Sequence, residues 1–351
     1  MSAAVPAVPG VLTGQQVLDS ARWIASVQRP SGAIAWFPGG HVDPWDHVHC
    51  AMGLSAAGLH EQALAAYAWM RGAQRPDGSW AIRYEDDAVV DPNVDANFCA
   101  YLATGVWHHW RVTADLGFVE RMWPTVERGI DVAVALQRPD GAVRWARDQH
   151  GPAFDEAQVT GSASIHLSLR CALGLAALLG QERSDWELAA AALREALDHH
   201  PERFERKPHA MDWYYPVLGG SLPPADAVAR LDAGWERFVR AGLGVLCVET
   251  NPWVTGAETC ELVLALEAVG RREQAVRLFA DLQFLREPDG GYWTGIEYTT
   301  GLHWPVERST WTTATVILAA DALSGATGGA GLFRGEGLPA ARRLGARAST
   351  A

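Results

Sequence analysis

Cysteine is scarce in this chain and carries no pairing signal. The five residues Cys50, Cys99, Cys171, Cys247 and Cys260 form an odd set with no C-x-x-C spacing and mostly apolar neighbours, which argues against a disulfide framework or a zinc cluster and for small buried side chains. Histidine offers no H-x-x-x-H pair, so neither a metal site nor a cofactor is implied. Positive charge is also short: 29 Lys and Arg stand against 41 Asp and Glu, a formal charge of -12. That balance repels phosphate backbones and anionic lipid, which disfavours nucleic acid and membranes as partners and favours a neutral or cationic ligand. No run approaches the roughly 20 apolar residues that span a bilayer, and the start of the chain lacks a basic region followed by an apolar core. The expectation is a soluble cytoplasmic protein, with homo-oligomeric assembly left open.

What is present in excess is tryptophan, sixteen residues in 351, many beside Gly, Pro or Asp between the helical stretches. A recurring turn is equally conspicuous: Gln28-Arg29-Pro30-Ser31-Gly32, Gln74-Arg75-Pro76-Asp77-Gly78, Gln137-Arg138-Pro139-Asp140-Gly141 and, degenerated, Arg286-Glu287-Pro288-Asp289-Gly290. Proline removes the next helical hydrogen bond and the glycine is free to take positive φ, so each copy ends one helix and opens a loop leading to another.

A period near 3.6 predicts about twelve helices, at 13–28, 47–59, 61–74, 95–110, 115–137, 157–180, 185–200, 211–218, 223–240, 255–270, 271–286 and 309–323. Connections alternate between short and long, which makes six antiparallel hairpins with every long loop on one side. With no polar capping repeat at either end, the pattern fits an all-α (α/α)6 barrel, a closed toroid, better than an open solenoid. The even helices are rich in Ala, Gly, Leu and Cys and should form the inner ring; the odd ones are amphipathic and belong outside. Residues 1–323 then make a single catalytic domain, and the Gly-, Ala- and Arg-rich stretch 324–351 is expected to be a poorly ordered tail.

If the even helices line a cavity, their starts share one rim, and the rim is acidic and aromatic. Trp36 and Asp43-Pro44-Trp45-Asp46-His47 precede the second helix. Tyr84, Asp95 and Asn97 precede the fourth, and Asp155-Glu156 the sixth. Asp212-Trp213-Tyr214-Tyr215 open the eighth, Trp253 with Glu258 the tenth, and Trp304 and Trp311 the twelfth. Capping explains some of these acids, since Thr255-Gly256-Ala257-Glu258 and Asp155-Glu156-Ala157-Gln158 have the form of capping boxes. It does not explain the aromatic rings in the same loops. Flat apolar faces for sugar C–H groups, beside carboxylates and amides for hydroxyls, suit a neutral polyhydroxylated ligand such as an oligosaccharide or polysaccharide. Cleaving a glycosidic bond requires one protonated and one ionised carboxyl group, and Asp43, Asp46 and Glu258 are the catalytic candidates. Trp36, Trp45, His47, Tyr84, Asp95, Asn97, Trp213, Tyr214, Tyr215, Trp253, Trp304 and Trp311 are the substrate-binding candidates.

Three resemblances follow from these motifs. Gln74-Arg75-Pro76-Asp77-Gly78-Ser79-Trp80 resembles the Q-x-x-x-G-x-W repeat of triterpene cyclases, themselves α/α toroids like the prenyltransferase β subunit. The cyclase D-x-D-D acid motif and the prenyltransferase zinc ligands are absent, so a terpenoid cyclase or prenyl-binding toroid is the alternative, alongside a non-catalytic sugar-binding toroid. Thr113-Ala114-Asp115 with Met122-Trp123-Pro124 is similar to the glucoamylase type of (α/α)6 hydrolase. Asp43-Pro44-Trp45-Asp46 with Trp253-Val254-Thr255-Gly256-Ala257-Glu258 resembles the actinobacterial methylmannose polysaccharide hydrolases over the whole helical domain. That resemblance implies an intracellular endo-α-1,4-mannosidase for partly 3-O-methylated mannose chains, its essential aspartates at Asp43 and Asp46 and its glutamate at Glu258.

Overall fold

The computed structural model describes residues 4–340. Among them are thirteen α-helices: α1 (Gly14–Val27), α2 (Pro44–Ala56), α3 (His60–Ala73), α4 (Ala96–Ala100), α5 (Leu102–Thr113), α6 (Leu116–Ala135), α7 (Val159–Leu178), α8 (Ser184–His199), α9 (Ala210–Leu218), α10 (Pro224–Phe238), α11 (Gly256–Ala268), α12 (Arg272–Asp281) and α13 (Thr310–Ser324). The count exceeds the expected twelve because α4 and α5 are two halves of one predicted helix, divided at Tyr101.

Helices α2, α5, α7, α9, α11 and α13 pack each on the next, and α13 packs back on α2. This closes the ring that the alternating loop lengths predict. Its members are apolar nearly all round: every residue of α2 except Trp45 is buried, and so are all of α13 up to Ser324. Close approach explains the small residues. A β-carbon on Gly105 of α5 would lie 2.5 Å from Val48 of α2, and one on Gly174 of α7 would lie 2.6 Å from the Trp107 ring. Helix α7 is long and apolar enough by composition to cross a membrane, contrary to the reading from the sequence, but 72% of its apolar window is buried inside the ring.

The repeated turns fasten the outer helices to one another. In the first three copies the glutamine amide donates both to the glycine carbonyl of its own turn and to a carbonyl of the next outer helix: Gln28 to Gln62 on α3, Gln74 to Thr125 on α6, Gln137 to Ala189 on α8. The glycines sit at positive φ with helix backbone against them; a β-carbon on Gly141 would lie 2.5 Å from the Ala192 carbonyl oxygen. The degenerate fourth copy closes the circle on α1, where Ser20 donates to the Gly290 carbonyl at 2.8 Å.

The structure adds one feature that the sequence reading does not anticipate and corrects one expectation. The long loops are not irregular throughout: they contain β1 (Arg83–Glu85), β2 (Ala88–Asp91), β3 (Val94–Asp95), β4 (Ala146–Arg147), β5 (Val239–Arg240), β6 (Gly244–Leu246), β7 (Trp253–Thr255), β8 (Gly295–Glu297) and β9 (Leu302–His303), the last five joined in one antiparallel sheet in chain order. Strands of two to four residues leave too short an alternation to read. The stretch after Ser324 is packed rather than loose as far as it is described: Leu332 and Phe333 are buried, Asp321 accepts from Thr327, and Arg111 donates to the Glu336 carbonyl at 3.0 Å. Residues 341–351 of the expected tail lie outside the described residues.

Replacing Gln74 by alanine leaves two carbonyls without their donor while removing little apolar area, and a loss of about 1–3 kcal/mol is expected. It reads as a lower urea midpoint with unchanged slope.

Candidate active site

Asp43 takes extended backbone angles as the N-cap of α2, with Pro44 at the first helical position, and its side chain accepts from the Asp46 amide at 3.0 Å. Asp43 therefore does cap its helix. The same turn brings the Asp46 carboxyl beside it, and both are only 8% exposed. Burial drives the Asp46 carboxyl well above the ordinary range, and the nearby Asp43, Glu261 and Glu258 carboxyl groups push it further. Asp46 is thus biased toward its protonated form.

Glu258 reaches the same cluster from α11. Strand β7 lies between β6 and β8 in the sheet and runs directly into the helix at Gly256, whose amide donates to the Thr294 carbonyl at 3.0 Å. The capping box expected here does not form: Thr255 makes no side-chain cap, and its hydroxyl is buried without a partner. Glu258, 4% exposed, is therefore buried without being tied to its own helix end. Asp155-Glu156 likewise do not cap α7, whose N-cap is Gln158, and Asp155 pairs with Arg144 at 3.4 Å.

Another acid, Glu261, is one that the sequence reading misses. It sits one turn beyond Glu258 and accepts from Tyr214 at 2.5 Å and Tyr215 at 2.7 Å. Burial pushes its carboxyl up to about 8, against the opposing pull of the two phenol donors. His49 Nε2 lies 3.9 Å from it and within 2.9 Å of the Tyr101 hydroxyl, and burial holds the imidazole neutral, down to about 3. One signal for it exists in the sequence: Glu258 and Glu261, three apart, are two acids on one face of a helix otherwise rich in apolar residues.

Aromatic rings surround the acids. Trp45 packs on His49, Phe98, Tyr101 and Tyr215 at 5.7 to 6.2 Å between ring centres. Trp311 lies 5.6 Å from Trp36 and 6.5 Å from His49, and Trp36 donates to Glu307 at 2.6 Å. Trp253 donates to the Trp304 carbonyl at the outer rim. Asp95 caps α4 through the amides of Asn97 and Phe98, and burial lifts its carboxyl to about 7. Asn97 is buried with its carbonyl oxygen unpaired, and it lines a recess of about 60 Å³ with Trp45, Asp95, Phe98, Trp145 and Thr160.

Three predicted binding residues lie elsewhere. His47 accepts from the Ile34 amide and donates to the Ala66 carbonyl, so both ring nitrogens are used within the packing between α2 and α3. Tyr84 is buried against Trp69 with its hydroxyl accepting from the Ala81 amide. Trp213 stacks on Phe238 and donates to the Arg230 carbonyl, facing the outer helix α10. Each stands close in sequence to residues that face the cavity; the local rotation of the backbone turns these three away. No group of three or more His, Cys, Asp and Glu suited to a metal occurs among the described residues.

The backbone resembles several solved structures. A glycosidase crystallised with glucose superposes with a TM-score of 0.71 at 17% identity, over 89% of this chain and 97% of that one. The GH63 mannosylglycerate hydrolase of Thermus thermophilus gives 0.70 at 15%, over 86% and 99%. A D-mannose isomerase gives 0.69 at 10%, over 87% and 95%. These likenesses establish the α/α toroid alone. No protein-family model matches the chain. The sequence is 54% identical to the MMP endo-(1,4)-3-O-methyl-alpha-D-mannosidase of Mycolicibacterium hassiacum over 337 residues, covering 96% of this chain and 94% of the relative. The chain belongs to that mannosidase family. It is a glycoside hydrolase, and the terpenoid and non-catalytic alternatives give way to this family membership.

In this mannosidase, burial raises the folded-state values of Glu261, Asp95 and Asp321, to about 8, 7 and 6. Groups so raised give their full contribution to stability below the ordinary carboxyl value and lose it as pH climbs through the folded value. The melting temperature should therefore fall between about pH 5 and pH 8, and Glu261→Gln should flatten that slope. Thermal melts across the range measure both.

Proposed function

We propose that this chain hydrolyses internal α-1,4 bonds of a 3-O-methylmannose-type polysaccharide or related α-mannooligosaccharide, with Asp46 as the proton donor and Glu258 as the ionised partner. The observation that carries the reading is the crowding of four carboxyl groups, Asp43, Asp46, Glu258 and Glu261, into one buried cluster where not all can be charged. Burial and its three neighbours drive Asp46 toward its protonated form, and it stands at the helix start beside the rim. In the reaction the Asp46 proton passes to the glycosidic oxygen as the bond to the anomeric carbon breaks, the Glu258 carboxylate stabilises the oxocarbenium-like charge, and a water then bonds to that carbon and gives its proton to a carboxylate of the cluster, which restores the starting protonation. Asp43 fixes the turn that carries Asp46 and sustains its proton affinity. Trp36, Trp45, Trp253 and Trp311 offer apolar faces for sugar rings, and Asn97 with Asp95 offers polar groups for hydroxyls. The name of the relative supports the choice of sugar. Five unpaired cysteines, four of them buried and Cys247 half-buried, support work in a reducing cytoplasm.

Asp46→Asn and Glu258→Gln should each lower turnover of an α-1,4-linked 3-O-methylmannan by about 10²–10⁴-fold while retaining substrate binding. Undiminished turnover in either variant removes that assignment. In Asp43→Asn the loss of a like charge lowers the proton affinity of Asp46. The alkaline limb of the kcat/KM profile, where Asp46 loses its proton, should then move to lower pH.

A further inference from the structure

At one sector of the rim, the two-residue strand β9 runs into a bend, and alternate side chains along this stretch are apolar and face water. Leu302, Trp304 and Val306 are 67%, 58% and 81% exposed, while the alternating His303, Pro305 and Glu307 are half-buried. The inner side is fixed: His303 stacks on Trp293 with ring centres 4.2 Å apart, and Glu307 accepts from Trp36. The three apolar side chains between these anchored ones are thereby left toward water, the kind of surface that marks a binding site.

A hydrogen bond joins the strip to the framework that carries the cleft. Trp253 donates to the Trp304 carbonyl, tying the strip to β7 and so to the start of α11, where Glu258 stands. In the ring α2 lies between α13 and α5, so the loop before α13 and the hairpin before α4 flank the turn of Asp43 and Asp46. That second hairpin also presents apolar groups, Val89 and Val90, 47% and 49% exposed. It is pinned beside α2 by paired backbone bonds of 2.8 Å between Val42 and Tyr84.

We propose that the strip of Leu302, Trp304 and Val306, with Val89 and Val90 on the hairpin that packs against the same segment before α2, is a subsite that reads the methyl ethers of a methylated sugar chain lying across Asp46. The inference rests on the glycoside hydrolase reading above and specifies which feature of the substrate is selected. A methyl ether replaces a hydroxyl donor with an apolar group that gains by leaving water. A free hydroxyl at the same place loses its water without finding a partner. Each methyl covered this way favours the methylated chain by about fourfold.

The test compares two α-1,4-mannooligosaccharides of equal length, one 3-O-methylated and one plain, with wild-type protein and with the double variant Leu302→Ser/Val306→Ser. Both kcat/KM and binding by tryptophan fluorescence are recorded. Wild type should prefer the methylated chain, and in the variant the preference should fall by about fifteenfold in both readouts, two methyl contacts of about fourfold each being lost. An unchanged ratio, whether or not overall activity changes, overturns the subsite, as does a wild type without preference. Light scattering adds a further check: a wild-type dimer that the variant converts to a monomer without altering the ratio assigns the strip to self-association and also overturns it. If wild-type protein cleaves neither sugar, the hydrolase reading fails separately, and the binding ratio still decides the subsite.

Discussion

Closure of α13 on α2 is the contact on which the rest of the molecule depends. These two helices belong to opposite ends of the chain, and their backbones approach so closely that a β-carbon on Gly53 would meet the Ala314 backbone at 3.2 Å. Without that seam the six inner helices would form an open arc, and the start of α2 would face water instead of the starts of α11 and α13. A solvated Asp46 would have an ordinary acidity. The reactive character of the carboxyl cluster is thus a property of ring closure, conferred by the exclusion of water and not by any one neighbour.

The outer ring secures the seam from behind. Each repeated turn locks one outer helix to the next, and the fourth joins the end of α12 to α1, close to the inner seam in the ring order. Its glutamine has become Arg286, whose guanidinium approaches Asp19 of α1 at 4.0 Å. A cation reaching an acid on the first outer helix replaces an amide bridging two carbonyls, and the docking of the glycine against helix backbone is kept. One sequence device therefore serves both to repeat the hairpin and to end the repetition.

The helical architecture was legible because two signals agreed, apolar periodicity and the alternation of short and long connections. The boundaries of α1, α3, α8 and α9 fall within a residue of their expected positions. Asp43, Asp46 and Glu258 were legible as rim acids, since chain order alone places the starts of inner helices together. What failed was rotation about the helix axis. His47 and Trp213 sit two residues from Trp45 and Tyr215, yet successive residues are turned by about 100° about the axis, which points each away from the cavity. Glu261 failed for the opposite reason: it lies inside a helix, where a search confined to loops and helix starts does not look. The strands were hidden by their shortness, although one of them, β7, sets the direction in which α11 begins.

Charge completes the physical case for a neutral substrate. Many arginines are taken up locally: Arg183 with Glu127, Asp131 and Asp185, Arg271 with Asp232, Arg308 with Asp289, and Arg29 with Asp86, Asp87 and the Gly40 carbonyl. Around the cluster itself the facing groups are neutral or acidic, namely Tyr101, Tyr214, Tyr215, neutral His49 and the four carboxyl groups. Such a chamber repels carboxylated or phosphorylated sugars in a medium too poorly solvated to screen the repulsion. A chain of neutral hexoses meets no such repulsion, and a partly methylated one arrives with less water to shed. The residues that make Asp46 an acid thereby also restrict what can reach it.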